Sequence, residues 1–483
     1  MKAIYEEIYA MRTKIVATIG PASNKRETLL QLAEAGVSVF RLNFSHGDPD
    51  FFRDVITNIR EIEKELGRSL TVMQDLPGPK IRVGLIPEGK LIITKGDTLL
   101  LGREKTGDDE LPFIPFDHPQ ILDKLVPGDK LVVADGGLQF VVDKKLESGN
   151  FLLNALESGS ISSRKGLALP GKSLALKAIT EQDKEKLALG IELGIDAVAV
   201  SFVQTADDIL NMKALLRSYG CGEIPVVAKL ERQNAAIDNL EAIVDAADII
   251  MVARGDLGVE CPMEVLPALQ KHIIHVCNSV GKPVIVATQM LLSMVNTPIP
   301  TRAEVTDVAN AVLDGADCVM LSDETAAGNY PVEAVKYMRK ITDEAEKYLL
   351  SDRKLRPPKD EADTSRFLAY TACLLAKTTE ACAIVAHSVS GGAARMLAEC
   401  RPQQTVYALT HNSIVEHALN FVWGVQPFFI STGDSSVPHL RRVQHFIATH
   451  DIFPMGKDVV ITAGEYSPGE RTRRTNLVKI YHK

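Results

Sequence analysis

The chain of 483 residues is short of cysteine and nearly lacks tryptophan, with seven of the first and one of the second. Cys221, Cys261, Cys277, Cys318, Cys373, Cys382 and Cys400 include no Cys-x-x-Cys pair, and the first 220 positions hold no cysteine. That excludes a disulfide framework or a cysteine-based zinc cluster and points to a reducing compartment. Basic residues are not in excess: 54 Lys and Arg against 62 Asp and Glu give a net charge of -8. Such a balance argues against a surface that coats nucleic acid or anionic membrane, while leaving room for a local phosphate site. Long apolar runs are scarce too. The uncharged span Pro283 to Thr301 is long enough to cross a bilayer. It is broken by Gln289, Ser293, Asn296 and three prolines, so it reads as a buried strand, a polar-studded loop and a short helix. The start, Met1 to Met11, carries Glu6 and Glu7 and no apolar core. No secretory signal is expected there, and the cytoplasm is the default location.

What is present is an ordinary folded composition, 46% apolar and 24% charged, with length for about three domains. Short β-branched runs ending in a polar residue recur at Lys14 to Thr18, Val37 to Arg41, Thr71 to Asp75, Ala197 to Ser201, Pro225 to Lys229, Ile249 to Ala253, Val284 to Thr288 and Cys318 to Ser322. Helical patterns such as Lys25 to Ala35, Phe51 to Leu66 and Thr301 to Leu313 separate most of them. Eight βα units with right-handed crossovers predict a closed (β/α)8 TIM barrel. The exception is Gly78 to Gly171, rich in Gly, Pro and alternating runs, which reads as hairpins of a small β-barrel domain inserted after the third strand. Ser351 to Thr364, dense in charge and carrying Pro357-Pro358, reads as a linker to an open-sheet α/β domain. The expected division is therefore 1–76 with 173–350 for the barrel, 77–172 for the lid and 351–483 for the last domain.

In a parallel barrel the C-terminal strand ends meet at one mouth. Here they supply Arg41, Asp75, Ser201, Lys229, Glu231, Arg254, Asp256, Thr288 and Ser322. Carboxylates for a hard divalent cation, beside Lys and Arg, form the kit for phosphoryl transfer or enolate stabilisation.

The segments Arg41-Leu42-Asn43-Phe44-Ser45-His46-Gly47, Ala228-Lys229-Leu230-Glu231, Met251 to Gly258, Ala287-Thr288-Gln289-Met290 and Pro300-Thr301-Arg302-Ala303-Glu304 resemble the pyruvate kinase family. The resemblance runs through Asp307 to Ser322 and covers the barrel almost completely. It implies transfer of a phosphoryl group from phosphoenolpyruvate to ADP, giving pyruvate and ATP, by a homotetramer. By the same resemblance Glu231 and Asp256 hold Mg2+ or Mn2+, and Arg41 grips the phosphate. Lys229 stabilises the transferring group and the enolate, Gly255 and Asp256 receive the substrate carboxylate, and Thr288 assists proton delivery through water. Asn43, His46, Arg82 and Lys165 contact the nucleotide.

One departure concerns K+. Family members hold it with residues matching Asn43, Ser45 and Asp75 and with a threonine, near a glutamate; here these last two positions are Leu76 and Lys80. The expectation is that Lys80 supplies the charge and that K+ is dispensable. Asp323 replaces a common glycine, which concerns only its own loop. In the last domain, Ser388, Ser390, Gly391 and Gly392 precede a helix in a pattern suited to phosphate. This is the expected effector site for a phosphorylated metabolite, with Arg471, Arg473 and Arg474 as candidates to close it. Lone Trp423 reads as core or subunit interface. Two other classes stay open: a metal-dependent carbon–carbon lyase, with no need of Lys229 or a nucleotide lid, and a silent metabolite sensor, with no need of the barrel residues.

Overall fold

Eight parallel strands close on themselves in a computed structural model that describes residues 11–483 except 88, 106–110, 134–136, 173–175, 352–354, 356, 359–362, 432–437 and 465–474. They are β1 Lys14–Ile19, β2 Val37–Asn43, β3 Thr71–Asp75, β4 Ala197–Val200, β5 Val226–Leu230, β6 Ile249–Ala253, β7 Val284–Ala287 and β8 Cys318–Leu321. Closure comes from β1, which pairs with β2 on one side and with β8 on the other. Both faces of these strands are covered, which is why they read as continuous apolar runs. Val16, Val39, Met73, Val227, Met251, Ile285 and Met320 fill the interior, while Ile15, Ala17, Val72 and Val226 pack outward on the helices. The helix Pro49–Leu66 shows how the sequence builds one unit. Asp48 caps it by accepting the Phe51 N–H, a left-handed Gly67 ends it, and Phe52, Val55, Ile56, Ile59 and Ile62 form its buried stripe.

The eight strands fall where the runs predict them, within about two residues at each end. Ser201, Thr288 and Ser322 lie one position beyond their strands, and Thr288 leaves the ladder because its backbone turns left-handed. The span from Pro283 forms β7 and a 3-10 turn at Leu292–Val295. Sequence reading did not name the 21-residue helix Pro331–Ser351 that completes the eighth unit. Most of the expected linker lies outside the described residues. Among the described residues no helix is long and apolar enough to cross a membrane.

Between β3 and β4 the chain forms a six-stranded sheet, from Thr98–Gly102 to Leu167–Ala168, and a two-stranded ribbon of Lys90–Ile93 with Gly159–Ser162. The expected small barrel is thus two ladders around one core of Leu99, Leu101, Phe116, Phe140, Phe151 and Ile161. The stem of this insertion is zipped by an Arg82 to Gly166 bridge and by the Val83 N–H to the Lys165 carbonyl.

Five further strands, β9 Ala383–His387, β10 Thr405–Thr410, β11 Val425–Phe429, β12 Asp458–Ala463 and β13 Leu477–His482, form an open sheet in the order β11-β10-β9-β12-β13. Only β13 is antiparallel. This sheet docks on the barrel's base. Phe421 enters the barrel's interior cluster, its carbonyl accepts from Cys318 Sγ at 3.2 Å, and the buried Lys14 ammonium donates to the Val425 carbonyl at 2.5 Å. Burial pushes Lys14 down to about 7. Trp423 is buried beneath the Arg401 guanidinium, 4.8 Å from its ring centre, so it belongs to the core of this seam.

A second clamp comes from His417. Its Nδ1 faces the Ser413 carbonyl and its Nε2 faces Glu63 Oε1, each at 2.7 Å. Neither oxygen has a proton to give, which favours two donating nitrogens and an imidazolium, against the Arg60 guanidinium 3.3 Å from Nε2. Burial alone would lower its pKa; the Glu63 hydrogen bond and the charge of Asp196 outweigh it and lift the ring to about 9. With the folded value above the ordinary 6.5, the clamp contributes fully below pH 6.5 and is lost as pH rises through 9. Denaturant unfolding followed by Trp423 fluorescence should lose on the order of 2–3 kcal/mol over that interval. His417→Gln should flatten the dependence, and a slope equal to that of the unaltered protein would refute the clamp.

Candidate active site

The barrel mouth is organised around Asp75, which ends β3 and is 1% exposed. Its Oδ2 accepts from Arg41 Nε at 2.7 Å and its Oδ1 from Lys229 Nζ at 3.1 Å. Arg41 also donates to Thr18 Oγ1 at 2.9 Å. Lys229 donates to Ser201 Oγ at 2.6 Å, and that hydroxyl donates to the Leu76 carbonyl at 2.7 Å. Residues two apart on a strand share a face, which sets Glu231 Oε1 2.8 Å from Lys229 Nζ. Glu231 Oε2 accepts the Phe202 N–H at 2.6 Å.

The ionisation follows from these contacts. Burial opposes every charge in the group. For Asp75 it is outweighed by Lys229 and Arg41, which hold the carboxyl below its usual value. For Lys229 it is outweighed by Asp75 and Glu231, which hold the ammonium above its usual value. Glu231 goes the other way: burial, with the charges of Asp256 and Asp75, raises it in spite of Lys229. A hard-oxygen carboxylate repelled by a neighbouring carboxylate fits a site made for a cation between them. Among the described residues no group of three or more His, Cys, Asp or Glu side chains gathers. A divalent cation of the Mg2+ type takes one or two carboxylates, as Glu231 and Asp256 would supply, and completes its shell with water and substrate oxygens.

Asp256 lies in the first turn of the helix Arg254–Glu260, with Lys80 Nζ 3.9 Å from its Oδ1. The Gly255 N–H, expected to meet a substrate carboxylate, donates instead to Thr288 Oγ1 at 2.8 Å, and that hydroxyl donates to the Ala287 carbonyl at 2.6 Å. A Cβ built on Gly255 would meet nothing nearer than Thr288 at 3.5 Å, so the fold itself does not demand glycine there. Thr288 has φ +74° and Gln289 φ +53°. For a β-branched residue that is an outlier costing about 1–3 kcal/mol.

The other expected residues fall in three places. Asn43 and His46 share the turn after β2, with Asn43 Oδ1 accepting the Ser45 N–H. Arg82 and Lys165 lie on the two strands of the lid's stem, opposite Gly166 and Val83 respectively, both exposed. At the K+ position both Asp75 oxygens are engaged, the buried Leu76 offers only a carbonyl already bonded to Ser201, and Lys80 reaches Asp256 rather than Asp75. In the last domain Gly391 is left-handed at φ +77° before the helix Gly392–Glu399, with Ser390 alongside. The buried hydroxyls of Ser388 and of Thr462, on neighbouring β12, find no partner among the described residues. His387 lies 3.2 Å from His439, and burial together with that neighbour lowers it to about 4. Arg471, Arg473 and Arg474 lie outside the described residues.

Sequence reading missed several contributors. Thr18, where the apolar run of β1 reaches its first hydroxyl one residue before the strand ends at Ile19, belongs to the mouth through Arg41. The buried Arg232–Glu260 pair at 2.9 Å carried no sequence signal; burial lifts Glu260 to about 7 against the pull of Arg232. A cavity of ≈ 950 Å³ between the barrel base and the helix Gly392–Glu399 is remote from this chemistry.

A closed barrel whose mouth joins a carboxylate pair to buried cations, beneath a β domain hinged on that mouth, defines an enzyme of metal-assisted phosphoryl or enolate chemistry. Family models narrow it: the one described as "Pyruvate kinase, barrel domain" matches residues 10–335, and "Pyruvate kinase, alpha/beta domain" matches 366–481. A pyruvate kinase of Agrobacterium vitis is 43% identical over 422 residues, covering 86% of this chain and 85% of the relative. One of Geobacillus stearothermophilus is 40% identical over 487 residues, covering 97% and 80%. One of Methylorubrum extorquens is 39% identical over 472 residues, covering 97% of each. The chain belongs to the pyruvate kinase family and is a phosphotransferase.

Proposed function

We propose that this enzyme moves the phosphoryl group of phosphoenolpyruvate to ADP, giving pyruvate and ATP as in the final step of glycolysis. The observation that carries the reading is the Lys229 ammonium, buried and kept charged between Asp75, Glu231 and Ser201. A charge held rigidly in a dry site stabilises negative charge that develops in a transition state, without reorganisation. Here that charge is on the transferring phosphoryl and the enolate oxygen. Arg41, fixed by Asp75 and Thr18, grips the phosphoryl oxygens. Glu231 and Asp256 would hold the divalent cation, which neutralises phosphoryl and enolate oxygens when bound. Thr288, oriented by the Gly255 N–H, relays a proton to the enolate carbon by way of water, since an unassisted hydroxyl is a poor acid.

The nucleotide reading rests on Asn43, His46, Arg82 and Lys165, the last two on a stem whose movement would close the lid and exclude water. Against a lyase stand Lys229 and the lid; against a silent sensor stands the complete mouth. The saturated Asp75 carboxylate and Lys80 beside Asp256 support catalysis without K+. The Ser388 hydroxyl, without a partner among the described residues, and the left-handed Gly391 ahead of the helix support a site for a phosphorylated effector. A cytoplasmic homotetramer is the setting the family implies.

A coupled assay should show pyruvate formed from phosphoenolpyruvate only when ADP is present, and Lys229→Met should lower kcat by about a hundredfold to a thousandfold; pyruvate formed without ADP would favour another enzyme. Replacing K+ by a bulky organic cation should leave the rate within about twofold, because a fixed ammonium is indifferent to salt identity. A large loss would sink the K+-independent reading. A panel of phosphorylated metabolites should include one that shifts the phosphoenolpyruvate saturation curve, with Ser388→Ala weakening the shift; curves unmoved by the whole panel would count against the effector site.

A further inference from the structure

Arg254 follows directly on β6 and precedes Gly255 and Asp256, yet its side chain turns away from them. Its Nε donates to the Ala287 carbonyl at 3.3 Å, Nη2 to the Thr288 carbonyl at 2.7 Å and to Met290 Sδ at 2.8 Å, and Nη1 to Asp307 Oδ1 at 2.8 Å and Gln270 Oε1 at 3.4 Å. These contacts occupy all five N–H groups of the guanidinium, so none is left for a substrate. Two successive carbonyls, at 287 and 288, and the sulfur at 290 bracket Thr288 and Gln289, which among the described residues are two successive left-handed, non-glycine residues. Such a conformation persists only where its surroundings over-determine it. A planar fork that bonds successive carbonyls does this, and an ammonium cannot. The Asp307 carboxylate, on the helix Arg302–Asp314, orients the fork from behind.

We infer that Arg254 is a positioning residue for proton delivery: it locks the Ala287–Thr288 peptide so that the Thr288 hydroxyl faces the Gly255 N–H and the enolate carbon. The inference rests on the phosphoenolpyruvate reading. In that reaction the bond from the enol oxygen to phosphorus breaks, the phosphoryl passes to ADP, and the methylene carbon gains one proton relayed through Thr288, which water replaces. By microscopic reversibility the same groups exchange the methyl protons of pyruvate with solvent, so the proton step has a readout separate from phosphoryl transfer.

The test is Arg254→Lys in the full-length enzyme, comparing kcat, the phosphoenolpyruvate KM and deuterium uptake into pyruvate in D2O. Misplacement of a reacting group by about 1 Å costs about a hundredfold, so kcat and deuterium uptake should fall together by about tenfold to a hundredfold while KM stays within about twofold. A fall in kcat with deuterium uptake at the unaltered rate, or a rise in KM alone, would overturn the inference. If Arg254→Lys does not fold, Asp307→Asn decides: a fall in uptake of about threefold to tenfold supports it, and unchanged uptake overturns it. An unaltered enzyme that makes no pyruvate from phosphoenolpyruvate and ADP would overturn the activity reading instead.

Discussion

Asp75 is the carboxylate on which the mouth depends. Placed between Arg41 and Lys229 and almost removed from water, it is the reason two cations can lie side by side in a barrel interior. Removing one member of such a buried set leaves a charge without compensation, a loss of about 3–5 kcal/mol. With Glu231 the group is balanced, two positive against two negative, and at the rim Asp256 is offset by Lys80. The site therefore has no positive surplus before any ligand binds. A phosphate arriving without a cation would create a negative excess, and a cation arriving with it would relieve it, so the two ligands are electrostatically linked.

The strands that carry this chemistry are fixed at their far ends by the last domain. At the start of β3 the Leu70 and Val72 N–H groups donate to Glu63 and Asp196, the carboxylates that face His417. The same strand ends at Asp75. At the start of β7 the Val284 N–H donates to Asp317, which pairs with Arg401 and accepts the Trp423 N–H. That strand leads into Thr288. Each strand thus joins an ionic contact with the last domain at its base to a functional side chain at its mouth, over the length of one rigid, fully hydrogen-bonded segment.

Much of this was legible in the chain. Strands buried on both faces leave runs such as Ile249-Ile250-Met251-Val252-Ala253, and the barrel rule then places Arg41, Asp75, Lys229 and Glu231 at one rim without any knowledge of distances. What could not be read is what depends on long-range partners or on backbone strain. Nothing in the sequence says that Phe421 lies inside a barrel 100 residues earlier, or that Arg232 meets Glu260. Nor does Ala287-Thr288-Gln289 announce two left-handed residues, since threonine disfavours that region and only tertiary contacts impose it. The helix Pro331–Ser351 has regular apolar spacing, with Ala334, Val335, Met338 and Ile341 buried, but no strand follows it to mark it as part of a βα unit. The Gly255 N–H was given to a substrate because a helix start suggests one; its present acceptor, the Thr288 hydroxyl, comes from the next strand.

The position of Phe421 has a consequence for how the chain is made. Its ring belongs to the interior of a barrel whose last strand ends at Leu321, and β3 meets β4 only after the intervening lid has been passed. A ribosome that has released all eight barrel strands has still not delivered the residue that fills the floor. Until about a hundred more residues emerge, the nascent barrel carries an open apolar base, with Lys14 and Asp317 lacking their partners from the last domain. Synthesis of the enzyme therefore includes an interval in which its largest domain is topologically complete and physically unfinished, the stage at which exposed apolar surface recruits chaperones or other chains.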